Sequence, residues 1–158
     1  MNERMTATTP PPAWPLGMPE IGATAELSRT VGPNDIALFT ELSGDRNPLH
    51  HDEAAAASSR FGEIVVQGGI TSAILNAVVA EKLPGPGSVF LSVSWNFTAP
   101  TRPGDTITGR VEVTSVREDK PITHLTCTVT RDDGVVALEG TAVCWTMAMP
   151  GWTGPADA

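Results

Sequence analysis

Between Ser88 and Met147 apolar residues recur at every second position, and just before that run Ile70 to Ala80 is apolar nearly all the way round at helical spacing. The first pattern belongs to strands with one face to bury, the second to a helix with structure on all sides. Val89, Leu91, Val93, Trp95 and Phe97 alternate with Phe90, Ser92, Ser94, Asn96 and Thr98, which predicts a strand that is one-sided apart from Phe90. Ile107, Gly109, Val111 and Val113 begin a second strand, and Val116 falls out of phase, which predicts a bulge near Ser115. Leu125, Cys127 and Val129 mark a third, Asp133-Gly134 a tight hairpin turn, and Val135 to Met147 a fourth. Residues 22 to 31 read as one more strand, ahead of the helix. An antiparallel sheet wrapped round one long central helix buries both apolar surfaces together, so the expected architecture is α+β. A chain of 158 residues is long enough for one such domain and too short for two.

The ends read differently. Residues 1–19 carry Pro10, Pro11, Pro12, Pro15 and Pro19 with little periodicity, as in a flexible arm, with Trp14 and Leu16 available to pin it to the body or to a second subunit. Residues 150–158 read as a flexible tail, leaving 20–149 as the folded domain. No run of about 18 apolar residues is present to span a membrane, and no apolar segment near Met1 suits a signal peptide, so a cytoplasmic location is expected. A formal net charge of −8 argues against nucleic acid and anionic membrane surfaces as partners. It leaves room for a phosphate-bearing ligand if Arg46, Arg60, Arg102, Arg117 or Lys120 gather locally into a basic rim. Cys127 and Cys144 fall in strand-like segments without metal-ligand spacing and read as buried free thiols. His124, opposite Leu125 in the alternation, reads as a solvent-side residue.

Most of the ionisable and amide chemistry is concentrated in Leu42-Ser43-Gly44-Asp45-Arg46-Asn47-Pro48-Leu49-His50-His51-Asp52. A helix is expected from Pro33 to Ser43, with Asp35 in its first turn, Ile36, Phe39 and Leu42 on one face and Gly44 as its stop. Pro48 disfavours helix at Asn47, so Asp45, Asn47 and His50 are placed on a short constrained loop. Asp52 is expected to cap a following helix through the Ala54–Ala57 run, closed by Phe61 and Gly62; His51 has no evident partner. A carboxylate, an amide and an imidazole on one loop can hold and activate a single water, although the same residues are also ordinary turn formers. Gln67-Gly68-Gly69 opens the apolar helix, where free backbone N–H groups could hold a developing oxyanion or where the glycines simply allow close packing. Within the helix Asn76, expected to be buried, either satisfies backbone groups or faces a polar cavity. Phe61, Phe90 and Trp95 are candidates for the core or for an acyl-shaped pocket.

The string Phe39-Thr40-Glu41-Leu42-Ser43-Gly44-Asp45-Arg46-Asn47-Pro48-Leu49-His50-His51-Asp52 closely resembles the hydratase motif of the MaoC-like (R)-specific enoyl-CoA hydratases. The resemblance continues through Ile64-Val65-Val66-Gln67-Gly68, Leu83-Pro84-Gly85-Pro86-Gly87-Ser88 and Arg117-Glu118-Asp119-Lys120-Pro121-Ile122, and covers about residues 20 to 147. It implies the hot-dog fold, a homodimer, and no cofactor or metal. It implies (R)-specific hydration of an enoyl-CoA or related acyl thioester, or the reverse dehydration, with Asp45 and His50 as the catalytic pair. Asn47 would orient water or substrate, and the Gly68 backbone N–H would bind the thioester oxygen. Two positions depart from the pattern: Gln67 stands where many members have His, and Asn76 where a Ser is frequent. Both are expected near the site, where they bear on substrate range. A non-catalytic acyl-thioester-binding protein and a thioesterase on the same fold are the alternative readings.

Overall fold

The computed structural model describes residues 14 and 16–154. Most of the expected Pro-rich arm and the last residues of the expected tail lie outside that range. Of the arm, Trp14 is tied to the body: its Nε1 donates to the Arg117 carbonyl at 2.8 Å.

The described residues form, in order, β1 (Thr24–Thr30), α1 (Pro33–Ser43), a 3-10 turn (Pro48–His50), α2 (Glu53–Ser58), α3 (Gly68–Glu81), β2 (Ser88–Phe97), β3 (Thr106–Val116), β4 (Ile122–Arg131) and β5 (Val136–Thr146). The strands form one antiparallel sheet in the order β1-β3-β4-β5-β2. α3 lies across its concave face, in contact with every strand. Ile74, Leu75, Val78 and Val79 of α3 are buried against Ile107, Val111, Leu125, Val129 and Leu138 of the sheet. This is the helix-wrapped α+β architecture that the two periodicities predict.

Several local expectations hold. β3 shifts register against β4 between Val113 and Ser115, which returns Val116 to the core side. Gly44 ends α1 with φ 77, a conformation that side chains resist, and its N–H closes onto the Thr40 carbonyl at 2.8 Å. Asp52 caps α2 by accepting from the Ala55 N–H at 3.0 Å. His124 is exposed. Cys127 and Cys144 are free and fully buried, and burial pushes both thiols up to about 12.

Others need correction. α2 stops at Ser58, because the Ser58 and Ser59 hydroxyls turn back onto the Ala55 and Ala56 carbonyls and compete with the backbone there. α3 is not enclosed all round: the sheet covers one side, while Ala73, Asn76 and Ala80 are exposed on the other. Asn76 is therefore a surface residue of the single chain and not a buried one. α1 buries Ile36 and Thr40, four residues apart, whereas Leu42 is 83% exposed. β2 is an edge strand, so its expected apolar side finds little cover: Val89, Leu91, Val93 and Phe97 are all exposed. A register shift between Phe90 and Ser92 also changes its alternation. That bulge lets Phe90 and Trp95, an odd number of residues apart, pack edge to face at 6.2 Å against the core. Among the described residues no helix is long and apolar enough to cross a membrane.

The seat of α3 depends on Gly109 in β3, where an added Cβ would come within 2.7 Å of the Ile74 side chain. Gly109→Val is expected to destabilise the fold by about 1–3 kcal/mol through overpacking. Chemical denaturation checks this: the midpoint should fall with the slope unchanged, and a wild-type midpoint would remove Gly109 from this role.

Candidate active site

Between α1 and α2 the chain is stitched so that two side-chain atoms are left facing each other. Asp45 is held at three points: its N–H donates to Ser43 Oγ at 3.1 Å, its carbonyl accepts from Thr40 Oγ1 at 3.1 Å, and its Oδ1 accepts from the Asn47 N–H at 3.1 Å. His50 is held by its own N–H, which donates to the Asn47 carbonyl at 3.0 Å, and by its ring, whose Nδ1 lies 2.6 Å from the Val65 carbonyl. A carbonyl only accepts, so Nδ1 carries a proton, and in the neutral tautomer this selects, Nε2 is bare. That Nε2 lies 3.6 Å from Asp45 Oδ2, too far for a direct hydrogen bond. The His50 side chain is only 10% exposed and that of Asp45 38%, so the pair sits at a boundary between protein and solvent.

His50 lines a cleft of about 330 Å³ together with Leu49, Phe61, Val65, Gly68 and Phe97. Gly68 is the first residue of α3, so its N–H lies beyond the reach of the helix's own carbonyls and makes no hydrogen bond among the described residues. The ring of Phe97 lies so close that a Cβ on Gly68 would come within 3.2 Å of it. Gly69 has a different reason. A Cβ there would collide with the Phe39 ring at 2.1 Å, so this glycine serves the close approach of α1 to α3. Thr101 fixes the segment that enters α3: its carbonyl accepts from the Val66 N–H at 2.9 Å and its hydroxyl from Thr71 Oγ1 at 3.0 Å.

The remaining sequence candidates divide. Asn47 caps the 3-10 turn, its Oδ1 accepting from the Leu49 N–H at 3.2 Å, which leaves its Nδ2 as a donor. Gln67 is 1% exposed and turns away from the cleft, its Nε2 donating to Thr40 Oγ1 at 2.9 Å and to the Ile36 carbonyl at 3.3 Å. Its Oε1 is buried without a partner among the described residues. Asn76, exposed on α3, does not line the cleft. The expected basic rim does not assemble. Arg60 lines the cleft, over the Phe61 ring at 5.2 Å, whereas Arg102 pairs with Glu63, Arg117 with Asp119, and Arg46 faces a neighbouring hollow shared with Glu41 and Glu53. Phe61 is a cleft residue; Phe90 and Trp95 belong to the core.

Two residues of the site are not singled out by the sequence patterns. Thr40 is buried beneath the loop, and its only signal is a polar residue four positions after Ile36 on the inward face of α1. Phe97 reads as one more alternating strand residue, and only the fold brings it to Gly68. Among the described residues no three His, Cys, Asp or Glu side chains converge as ligands for a metal ion.

Residues 18–135 match the family model of the MaoC like domain. The chain is 41% identical over 124 residues to an (R)-specific enoyl-CoA hydratase of Aeromonas caviae, covering 78% of this chain and 92% of that protein. It is 39% identical over 124 residues to a 3-hydroxybutyryl-CoA dehydratase of Methylorubrum extorquens, covering 78% of each. Among solved structures, the (R)-hydratase from A. caviae involved in PHA biosynthesis superposes with a TM-score of 0.77 at 40% identity, covering 81% of this chain and 97% of that one. An unliganded R-hydratase from Pseudomonas aeruginosa superposes with a TM-score of 0.75 at 30% identity, covering 88% and 92%.

Proposed function

This chain belongs to the MaoC-like domain family and is a hydro-lyase of that family, and we propose that it hydrates a trans-2-enoyl-CoA to the (3R)-hydroxyacyl-CoA, or catalyses the reverse dehydration. The observation that carries this reading is the pair of uncommitted atoms, Asp45 Oδ2 and His50 Nε2, 3.6 Å apart, with His50 lining a cleft that Gly68 also lines. One water hydrogen-bonded to both atoms spans such a gap at ordinary bond lengths.

That water attacks the β carbon. As its oxygen bonds to carbon, its proton passes to the Asp45–His50 pair and a proton from the pair is delivered to the α carbon, so all three atoms of water end on the product and the site is restored. The pair acts as a unit, both groups sharing one water. Between the two bond changes, charge develops on the thioester oxygen, where the Gly68 N–H and the positive end of α3 stabilise it. Asn47, with Nδ2 still free to donate, orients the water or the thioester. Dehydration runs the same steps backwards. Leu49, Phe61, Val65 and Phe97 give the acyl thioester an apolar lining, and Arg60 at the rim offers a cation to the phosphates of CoA.

The edge strand β2 supports a homodimer. Its outer backbone groups are unpaired among the described residues, Leu91 stands outside the register with β5, and Val89, Leu91, Val93 and Phe97 are exposed along it. A second β2 added to this edge would satisfy the one and cover the other.

Two outcomes test these readings. Asp45→Asn is expected to lower kcat for trans-2-enoyl-CoA hydration by at least about 100-fold with the melting temperature little changed. Near-normal turnover in this variant would contradict the mechanism, and a wild type that binds acyl-CoA without turning it over would mark a binding protein instead. The double variant Leu91→Lys, Val93→Lys is expected to sediment as a monomer where the wild type sediments as a dimer; a monomeric wild type would end the dimer proposal.

A further inference from the structure

Thr40 lies at the meeting point of two residues that the hydration step itself does not use. Gln67 Nε2 approaches its hydroxyl at 2.9 Å and His51 Nε2 at 3.1 Å, while the hydroxyl lies 3.1 Å from the Asp45 carbonyl. A hydroxyl has one proton to give and two lone pairs to accept with. The Asp45 carbonyl can only accept, so it takes that proton. The Gln67 amide nitrogen can only donate, and the Ile36 carbonyl beside it fixes the amide with nitrogen toward Thr40. One lone pair is left for His51, whose Nε2 must therefore carry a proton. All three directions are thus determined, and Thr40, 4% exposed, has no freedom to turn away.

We propose that Thr40, oriented by Gln67 and His51, is a positioning residue that fixes the backbone of Asp45 so that its Oδ2 faces His50. The inference rests on the catalytic reading of Asp45. It gives Gln67 and His51 a shared role, since Gln67 reaches Thr40 from the start of α3 and His51 from the end of the motif loop. The strut they form with Thr40 ties the loop to the helix whose first N–H borders the cleft. Without the hydroxyl, the Asp45 carbonyl loses its partner. Only the Ser43 Oγ and Asn47 contacts then hold Asp45, one from the last residue of α1 and one from the loop itself, and neither reaches α3. A loop that moves as a unit carries the carboxylate away from His50, and small misplacements of a catalytic group are costly.

The test compares Thr40→Val, which keeps the shape and removes the hydroxyl, with Thr40→Ser, which keeps the hydroxyl. Thr40→Val is expected to lower kcat for trans-2-butenoyl-CoA by about tenfold with KM within about twofold, and Thr40→Ser to restore kcat. Amide hydrogen exchange supplies a readout independent of activity. The Asp45 and Asn47 amides should exchange faster in Thr40→Val, with those of β3 and β4 unchanged. If Thr40→Val does not fold, Gln67→Met carries the test, with the same direction expected in kcat and exchange. Wild-type kcat and exchange in Thr40→Val would overturn the proposal, as would faster exchange throughout the sheet, which would mark a structural role. A wild type that turns over no enoyl-CoA would instead refute the hydratase reading; the exchange comparison would still decide whether the strut holds the loop.

Discussion

The packing of α3 into the curved sheet is the constraint on which the other features depend. A 14-residue helix with Ile74, Leu75, Val78 and Val79 buried has one workable seat, over β3 at Gly109. Taking that seat carries its first turn to the end of the sheet where Thr101 grips Val66 and Thr71. The N–H of Gly68 then emerges at the cleft, and α1 can approach α3 closely because Gly69 has no side chain to meet Phe39. The site is thus assembled by the core, with the motif loop added on top.

The loop itself is held by backbone partners and by two hydroxyls, those of Thr40 and Ser43. Of the side-chain atoms, Asp45 Oδ1 is committed to the Asn47 N–H and His50 Nδ1 to the Val65 carbonyl, and the two left over are those that face each other. Pre-organisation of this kind lowers the cost of reaching the reactive arrangement, because the geometry is settled during folding and not at each turnover. The chemistry proposed here asks for no metal: one water, two proton-carrying groups and a helix terminus supply acid, base and oxyanion stabilisation.

Period-two alternation over β3, β4 and β5 is enough to place those strands and the Ser115 bulge, because a buried face imprints itself on the sequence. The same alternation misleads for β2. It reports that one side is apolar but not what covers it, and an edge strand with a bulge leaves Val89, Leu91, Val93 and Phe97 exposed in the single chain. Asn76 illustrates a related limit: small alanines on the exposed side of α3 read as apolar whether or not anything packs there. Asp45, Asn47 and His50 are legible because they share one short loop, where sequence proximity is spatial proximity. Thr40 is not, since its importance comes from Gln67, 27 residues away in sequence, and Gln67 itself points toward α1, a direction that no spacing rule gives.

The central claim is that one pair of groups on one side of the double bond handles both the attacking oxygen and the proton. Its most direct test is hydration of trans-2-butenoyl-CoA in D2O, with the relative configuration at the α and β carbons of the product read from proton NMR coupling constants. Hydroxyl and deuterium delivered to the same face, with the (3R) configuration at the alcohol, is the predicted result. Delivery to opposite faces would require a proton donor across the cleft and would contradict the account.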